Sequence, residues 1–168
     1  HQWLTVDRSI GEETIARFGI YTARFQDGDA TPDERGNVIA FPFEERGRIV
    51  AEKYRREPGK QFSQRKGGRR TFFNSDVLDD RALIEGHYPL IITEGELDAL
   101  TAISCGFPFA VSVPDGAPPV PEGESPEALK PIDTNAEGAG KFEFVFNNLD
   151  RLARIKRFII AVDNDDPG

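Results

Sequence analysis

The chain has 168 residues, of which 38% are hydrophobic, and a formal net charge of −8. That hydrophobic share supports a packed core rather than a disordered chain, and the length suits one ordinary domain or two small subdomains. No apolar run approaches the ~18 residues of a membrane span and no charged-then-apolar leader is visible, so a soluble chain with no membrane partner is expected. In chain order, Ser9-Ile10-Gly11-Glu12 reads as a capping box, Ile15 and Phe18 share a helical face, and Gly19 ends a short first helix. A turn-rich stretch runs from Asp27 to Gly36. Two apolar runs, Val38 to Phe43 and Ile49 to Arg55, flank Glu44-Glu45-Arg46-Gly47 and predict a hairpin with a four-residue loop, Pro42 placing the first strand at an edge. Asp76 to Glu85 predicts a linking helix. A second sheet is then expected from near Tyr88: strand 90–93, helix 96–105, strand 109–113, helix 141–154 and strand 158–162, the alternation of an open parallel sheet. The Pro-, Gly- and Glu-rich segment from Pro114 to Gly140 reads as a mobile loop. Cys105 forms no internal disulfide, and its place near a helix end predicts ordinary packing.

Charge is unevenly distributed. Between Arg46 and Arg70 ten Lys or Arg stand against Glu52 and Glu57, a net of +8, so the remainder carries −16. A concentrated basic segment is the footprint of a phosphate-binding track, although a basic face can also simply keep a strand soluble. Phe62, Phe72 and Phe73 lie within or beside it, where aromatics serve single-strand stacking or, more commonly, the core.

Two acidic clusters follow apolar runs. Glu94-Gly95-Glu96-Leu97-Asp98 comes after Leu90-Ile91-Ile92-Thr93, and Asp163-Asn164-Asp165-Asp166-Pro167-Gly168 after Phe158-Ile159-Ile160-Ala161-Val162. Both runs read as buried parallel strands, which puts Glu94 and Asp163 beyond strand carboxyl ends, where open α/β sheets bind ligands. Asp98, four residues after Glu94, would share its face of a helical first turn. Oxygen ligands in such a cluster suit Mg²⁺ or Mn²⁺. The first cluster is also compatible with acids that merely begin a helix. The second has the D-x-D opening and sixth-position Gly of an EF-hand loop, but it follows a strand and has Pro167 at the fifth position.

The paired segments from Ile91 to Ala99 and from Val162 to Gly168 resemble the TOPRIM domain of primases and topoisomerases, most closely the primase half of phage and mitochondrial Twinkle-type primase-helicases. The resemblance covers nearly the whole chain. Val111 to Ala117 is similar to the family's second-strand segment with its glycine turn, and Ile49 to Arg55 with Lys60-Gln61-Phe62 resembles its basic RNA-polymerase subdomain. The resemblance implies an α/β fold, with a small α+β basic subdomain over 1–86 followed by an open parallel, Rossmann-like TOPRIM sheet over 87–168. It implies that Glu94 is an acid/base or metal-organising group, that Asp163 and Asp165 are metal ligands, and that Asp98 is a further acid. Lys53, Arg55 and Lys60, joined by Arg65, Lys66, Arg69 and Arg70, are the expected contacts to triphosphate or template. The implied activity is Mg²⁺- or Mn²⁺-dependent synthesis of RNA primers on single-stranded DNA from ribonucleoside triphosphates, beside a fused or associated replicative helicase, in a bacterial or phage-infected cytoplasm ahead of a mitochondrial matrix. Phosphodiester cleavage of the nuclease or topoisomerase kind, and non-catalytic single-strand binding, remain alternatives. The chain lacks the family's third acidic element, four ligands for its zinc domain, a helicase phosphate loop and any methionine. It is therefore expected to be a piece truncated within TOPRIM and inactive alone.

Overall fold

The computed structural model describes residues 2–56, 61–116 and 139–163. Much of the 114–140 loop, together with Lys60 and Asp165, lies outside them. The mixed α/β expectation is met by a five-stranded antiparallel sheet and a three-stranded parallel one.

After a π-helical turn at Trp3–Asp7, α1 spans Glu12–Arg17. Gly11, not Ser9, is its N-cap, and Ser9 takes a left-handed φ of 53°. The expected capping box is therefore not made. Gly19, at φ 59°, ends the helix as expected. The turn-rich stretch proves to contain a strand: β2 (Asp29–Pro32) pairs with β1 (Tyr21–Gln26), which precedes it, across Asp27-Gly28, both left-handed. The central hairpin joins β3 (Val38–Glu45) to β4 (Arg48–Arg55) through only Arg46-Gly47, again both left-handed. Such two-residue turns match the right-handed twist of the strands. The strands thus extend into the predicted four-residue loop, with a bulge at Phe43/Glu44 and the Asp76 carboxylate accepting both turn amides.

β5 (Phe62–Gln64) completes the sheet order β2-β1-β3-β4-β5. β3 is therefore central, contrary to the edge placement drawn from Pro42. The proline is tolerated because β1 pairs only with Val38 to Ala40, so no ladder on that side needs the amide Pro42 lacks.

A 3₁₀ turn at Ser75–Asp79 and α2 (Arg81–Ile84), capped by Asp80, replace the predicted linking helix. Then come β6 (Leu90–Thr93), α3 (Glu96–Ser104) and β7 (Ala110–Ser112). The helix predicted over 141–154 is broken into a 3₁₀ turn, α4 (Glu143–Phe146) and α5 (Leu149–Leu152) before β8 (Phe158–Ala161). The parallel order is β7-β6-β8. β8 departs from the buried strand expected: it is the edge among the described residues, paired with β6 alone, and all four of its residues are exposed. Cys105, at the end of α3, is likewise exposed rather than packed.

One core joins the two sheets. Ile39, Phe41 and Phe43 of β3 pack with Ala99, Leu100 and Ile103 of α3 and with Ala110 of β7. A second cluster, with Phe72, Leu78, Leu83, Leu90, Val111 and Ile155, covers the other face of the parallel sheet. Consecutive Phe72 and Phe73 thus serve opposite cores. Phe73 is fully buried, its ring 5.2 Å from Phe18 and 5.5 Å from Phe43, while its amide donates to the Ser112 carbonyl. Replacing it with Ala removes a contact shared by α1, β3 and β7. Phe73→Ala should cost about 3–5 kcal/mol, read as a lowered urea midpoint.

Candidate functional site

β4 alternates its side chains between the faces of the sheet. Tyr54 joins the small-residue cluster of Ala23, Val38 and Ala40, so Lys53 and Arg55 point the other way, towards α3. From the parallel sheet, Glu94 follows β6 directly and Asp163 lies two residues beyond β8, at neighbouring carboxyl ends because Thr93 pairs with Ala161. The two sets face each other across an open cleft of about 550 Å³. Glu94, Asp98 and Asp163, together with Glu96 and Asp115, supply its acidic side, and Arg8, Lys53 and Arg55 its basic side.

Gly95 is the N-cap of α3 in extended conformation, and the Asp98 carboxylate turns back to accept its amide hydrogen. This third-position acid returning to the cap is one half of a capping box. Asp98 thus has both roles the sequence left open: it begins the helix and lines the cleft. Burial, then repulsion from Asp163, push its carboxyl above the usual range, against the pull of the Gly95 amide and Arg8. A carboxyl raised by burial and by a neighbouring carboxylate marks a place where a cation is wanted. Among the described residues no three Asp, Glu, His or Cys side chains close around a metal position.

Lys53 and Glu96 form a buried ion pair, Nζ to Oε1 at 3.0 Å, with side chains 10% and 5% exposed. Lys53 also donates to the Pro114 carbonyl at 2.9 Å. Two of the three ammonium donors are therefore committed, leaving one for a ligand in the cleft. Burial raises the Glu96 pKa despite the attraction of Lys53. Beside this pair stand stacked cations and rings: Arg55 lies 4.9 Å from Trp3 and 5.2 Å from Phe62, Lys53 5.0 Å from Phe62, and Arg8 5.0 Å from Trp3.

The other basic residues do not line this cleft. Arg65 faces Glu52 at 3.6 Å, Arg69 pairs with Glu45 at 3.0 Å, Arg70 pairs with Asp115, and Lys66 is exposed. Arg8, Trp3 and Glu96 were not anticipated. Arg8 lies 38 residues before the basic segment in sequence, and only the fold brings it to Asp98. Glu96 was visible in the acidic cluster, but nothing distinguished its inward direction. No tyrosine lines the cleft: Tyr21 and Tyr54 both donate to Glu52, and Tyr88 is exposed beside Phe109.

Removing one partner of a buried ion pair leaves the other charge uncompensated. Lys53→Met should therefore destabilise the chain by about 3 kcal/mol or more, while Lys53→Met with Glu96→Leu should recover most of that loss in a urea-denaturation cycle. The pH dependence of Asp98 is separate. A carboxyl with a higher pKa folded than unfolded favours folding while protonated, and this contribution fades as pH rises through the folded value. Ionised Asp98 therefore costs stability at neutral pH. Asp98→Asn should raise Tm at about pH 7.5, with the gain shrinking towards about pH 4 in thermal melts.

No family model matches the chain. It is 38% identical over 162 residues to the Twinkle homolog protein, chloroplastic/mitochondrial, of Arabidopsis thaliana, an alignment covering 96% of this chain and 20% of that protein. It is 36% identical over 162 residues to the Primase homolog protein of the same plant, covering 96% and 41%. The chain thus spans a fifth and about two fifths of these relatives. Among solved structures, the Aquifex aeolicus primase zinc-binding and RNA polymerase domains superpose with a TM-score of 0.62 at 17% identity, over 95% of this chain and 41% of that one. The RNA polymerase domain of Mycobacterium tuberculosis primase DnaG, in complex with double-stranded DNA, gives 0.57 at 16% identity, over 98% and 56%. These superpositions establish a shared fold.

Proposed function

Because this chain is a homologue of the plant Twinkle and primase-homolog proteins and has the fold of bacterial primase cores, we propose that it is a catalytic core for template-directed synthesis of RNA primers on single-stranded DNA. The observation that carries this reading is the meeting of three cations and five carboxylates across one cleft, the cations from 1–86 and the acids from 87–168, with Glu94, Asp98 and Asp163 the acids that Lys53 and Arg70 do not pair. A nucleoside triphosphate with a divalent cation needs both. We keep those two spans as the functional halves.

The donors fit Mg²⁺ or Mn²⁺: they are all carboxylate oxygens, and burial, then the neighbouring Asp163 charge, raises the Asp98 pKa. Glu94, Asp98 and Asp163 would hold the cation together with Asp165, which lies outside the described residues. When bound, it would lower the pKa of a primer 3′-hydroxyl and offset charge developing on the phosphoryl oxygens. Arg8, Arg55 and the remaining Lys53 donor would hold the triphosphate, aligning its α-phosphorus for attack by that hydroxyl with pyrophosphate as leaving group. Glu96 keeps the Lys53 ammonium at the cleft wall. Arg65, Lys66, Arg69 and Arg70 are the proposed template track, with Lys60 outside the described residues. A replicative helicase, fused or associated, is the proposed partner, in the cytoplasm of a bacterial or phage-infected cell; the Twinkle relative's name places that plant protein in organelles. No described helix is long and apolar enough to cross a membrane.

In the natural protein that carries this sequence, Asp163→Asn should reduce primer synthesis by about 100-fold or more, and Mn²⁺ titration should show weakened binding with Tm unchanged or raised. Wild-type primer synthesis by that variant would overturn the reading.

A further inference from the structure

Among the large apolar side chains left exposed in the described residues, Phe62 is the one that lines the cleft. Its neighbours in the aromatic part of the sequence, Phe72 and Phe73, are 2% and 0% exposed, whereas Phe62 remains 51% exposed. It stands on β5, a three-residue edge strand, directly opposite Arg55 of β4. Its ring lines the same cleft as the carboxylates, with Lys53 and Arg55 within 5.2 Å of its centroid. Holding those cations in place does not account for it. Lys53 already has Glu96 and the Pro114 carbonyl, and Arg55 already lies against Trp3. What remains is an open aromatic surface beside a group of phosphate-compatible cations.

We propose that Phe62 is the stacking platform for the base of the nucleoside triphosphate bound in this cleft, an inference that rests on the nucleotide reading above. A base attached to a triphosphate held by Arg8, Arg55 and Lys53 needs a flat apolar surface beside those cations, and Phe62 provides it. Stacking also suits the task, because every base presents a π-face and a ring accepts all four without reading hydrogen-bonding edges. Lys53 and Arg55 beside the ring add electrostatic attraction for the phosphates without closing the exposed part of the surface.

The test compares ATP, GTP, CTP and UTP with inorganic tripolyphosphate, each titrated with Mg²⁺ into the wild-type chain, Phe62→Ala and Phe62→Trp. Phe62→Ala should weaken all four nucleotides by about 5- to 100-fold, the range of one stacked base, and leave tripolyphosphate unchanged. Phe62→Trp should keep nucleotide affinity. An equal loss for tripolyphosphate would overturn the proposal by showing that the ring only positions cations. So would unchanged nucleotide affinity in Phe62→Ala, or a loss confined to a single-stranded oligothymidylate, which would assign the ring to template. If the wild type binds tripolyphosphate, the nucleotide reading stands whichever way Phe62 behaves. If it binds neither tripolyphosphate nor nucleotide, the cleft assignment itself fails.

Discussion

The buried contact between Lys53 and Glu96 is the constraint around which the site is organised. It ties strand β4 of the antiparallel sheet to the first residue of α3, and through the Pro114 carbonyl it also holds the segment leaving β7. Hydrophobic packing alone would leave the two sheets free to slide, since apolar contacts are non-directional. An ion pair is directional and intolerant of displacement, because losing its geometry exposes a desolvated charge. Its contribution is better seen as fixing where the acids sit relative to the cations than as a gain in stability.

The cleft follows from strand pairing rather than from any single motif. β6 and β8 run parallel in matched register, so the residues after their carboxyl ends emerge side by side although they are almost seventy positions apart in sequence. The opposite wall comes from the period-two alternation of β4, which turns Lys53 and Arg55 towards the cleft and Glu52 and Tyr54 to the other face of the sheet. Shifting either register by one residue would turn these groups to the wrong face. The fold and the charge arrangement are therefore one problem.

The parallel half was largely legible in the sequence because its strands are short apolar runs ended by acids, and its helix α3 fills the interval between two of them. The antiparallel half was less so. Asp27-Gly28 is a strong two-residue turn signal, but the flanking strands Tyr21–Gln26 and Asp29–Pro32 carry Arg24, Asp29 and Pro32 and lack a clean alternation, so β1 gives no strand signal and β2 reads as part of a turn-rich stretch. Pro42 misled because a proline's cost depends on which neighbour reaches that far along the strand, which local sequence does not contain. The acids of the site were legible from their positions after strands. Arg8 and the inward turn of Glu96 were not, since both depend on how the π-helical turn and α3 pack against β4.

β8 has a consequence of a different kind. Its apolar residues Phe158, Ile159 and Ile160 are exposed, and among the described residues its outer backbone edge has no partner strand. An open apolar edge of this sort is a template for further strands from other molecules. The net charge of −8 opposes such encounters by mutual repulsion, and that repulsion acts over a distance set by dissolved salt, about 10 Å at 0.1 M. The colloidal behaviour of the chain is thus governed by ionic strength: dilute buffers keep molecules apart, and concentrated salt brings the β8 edges within reach of each other.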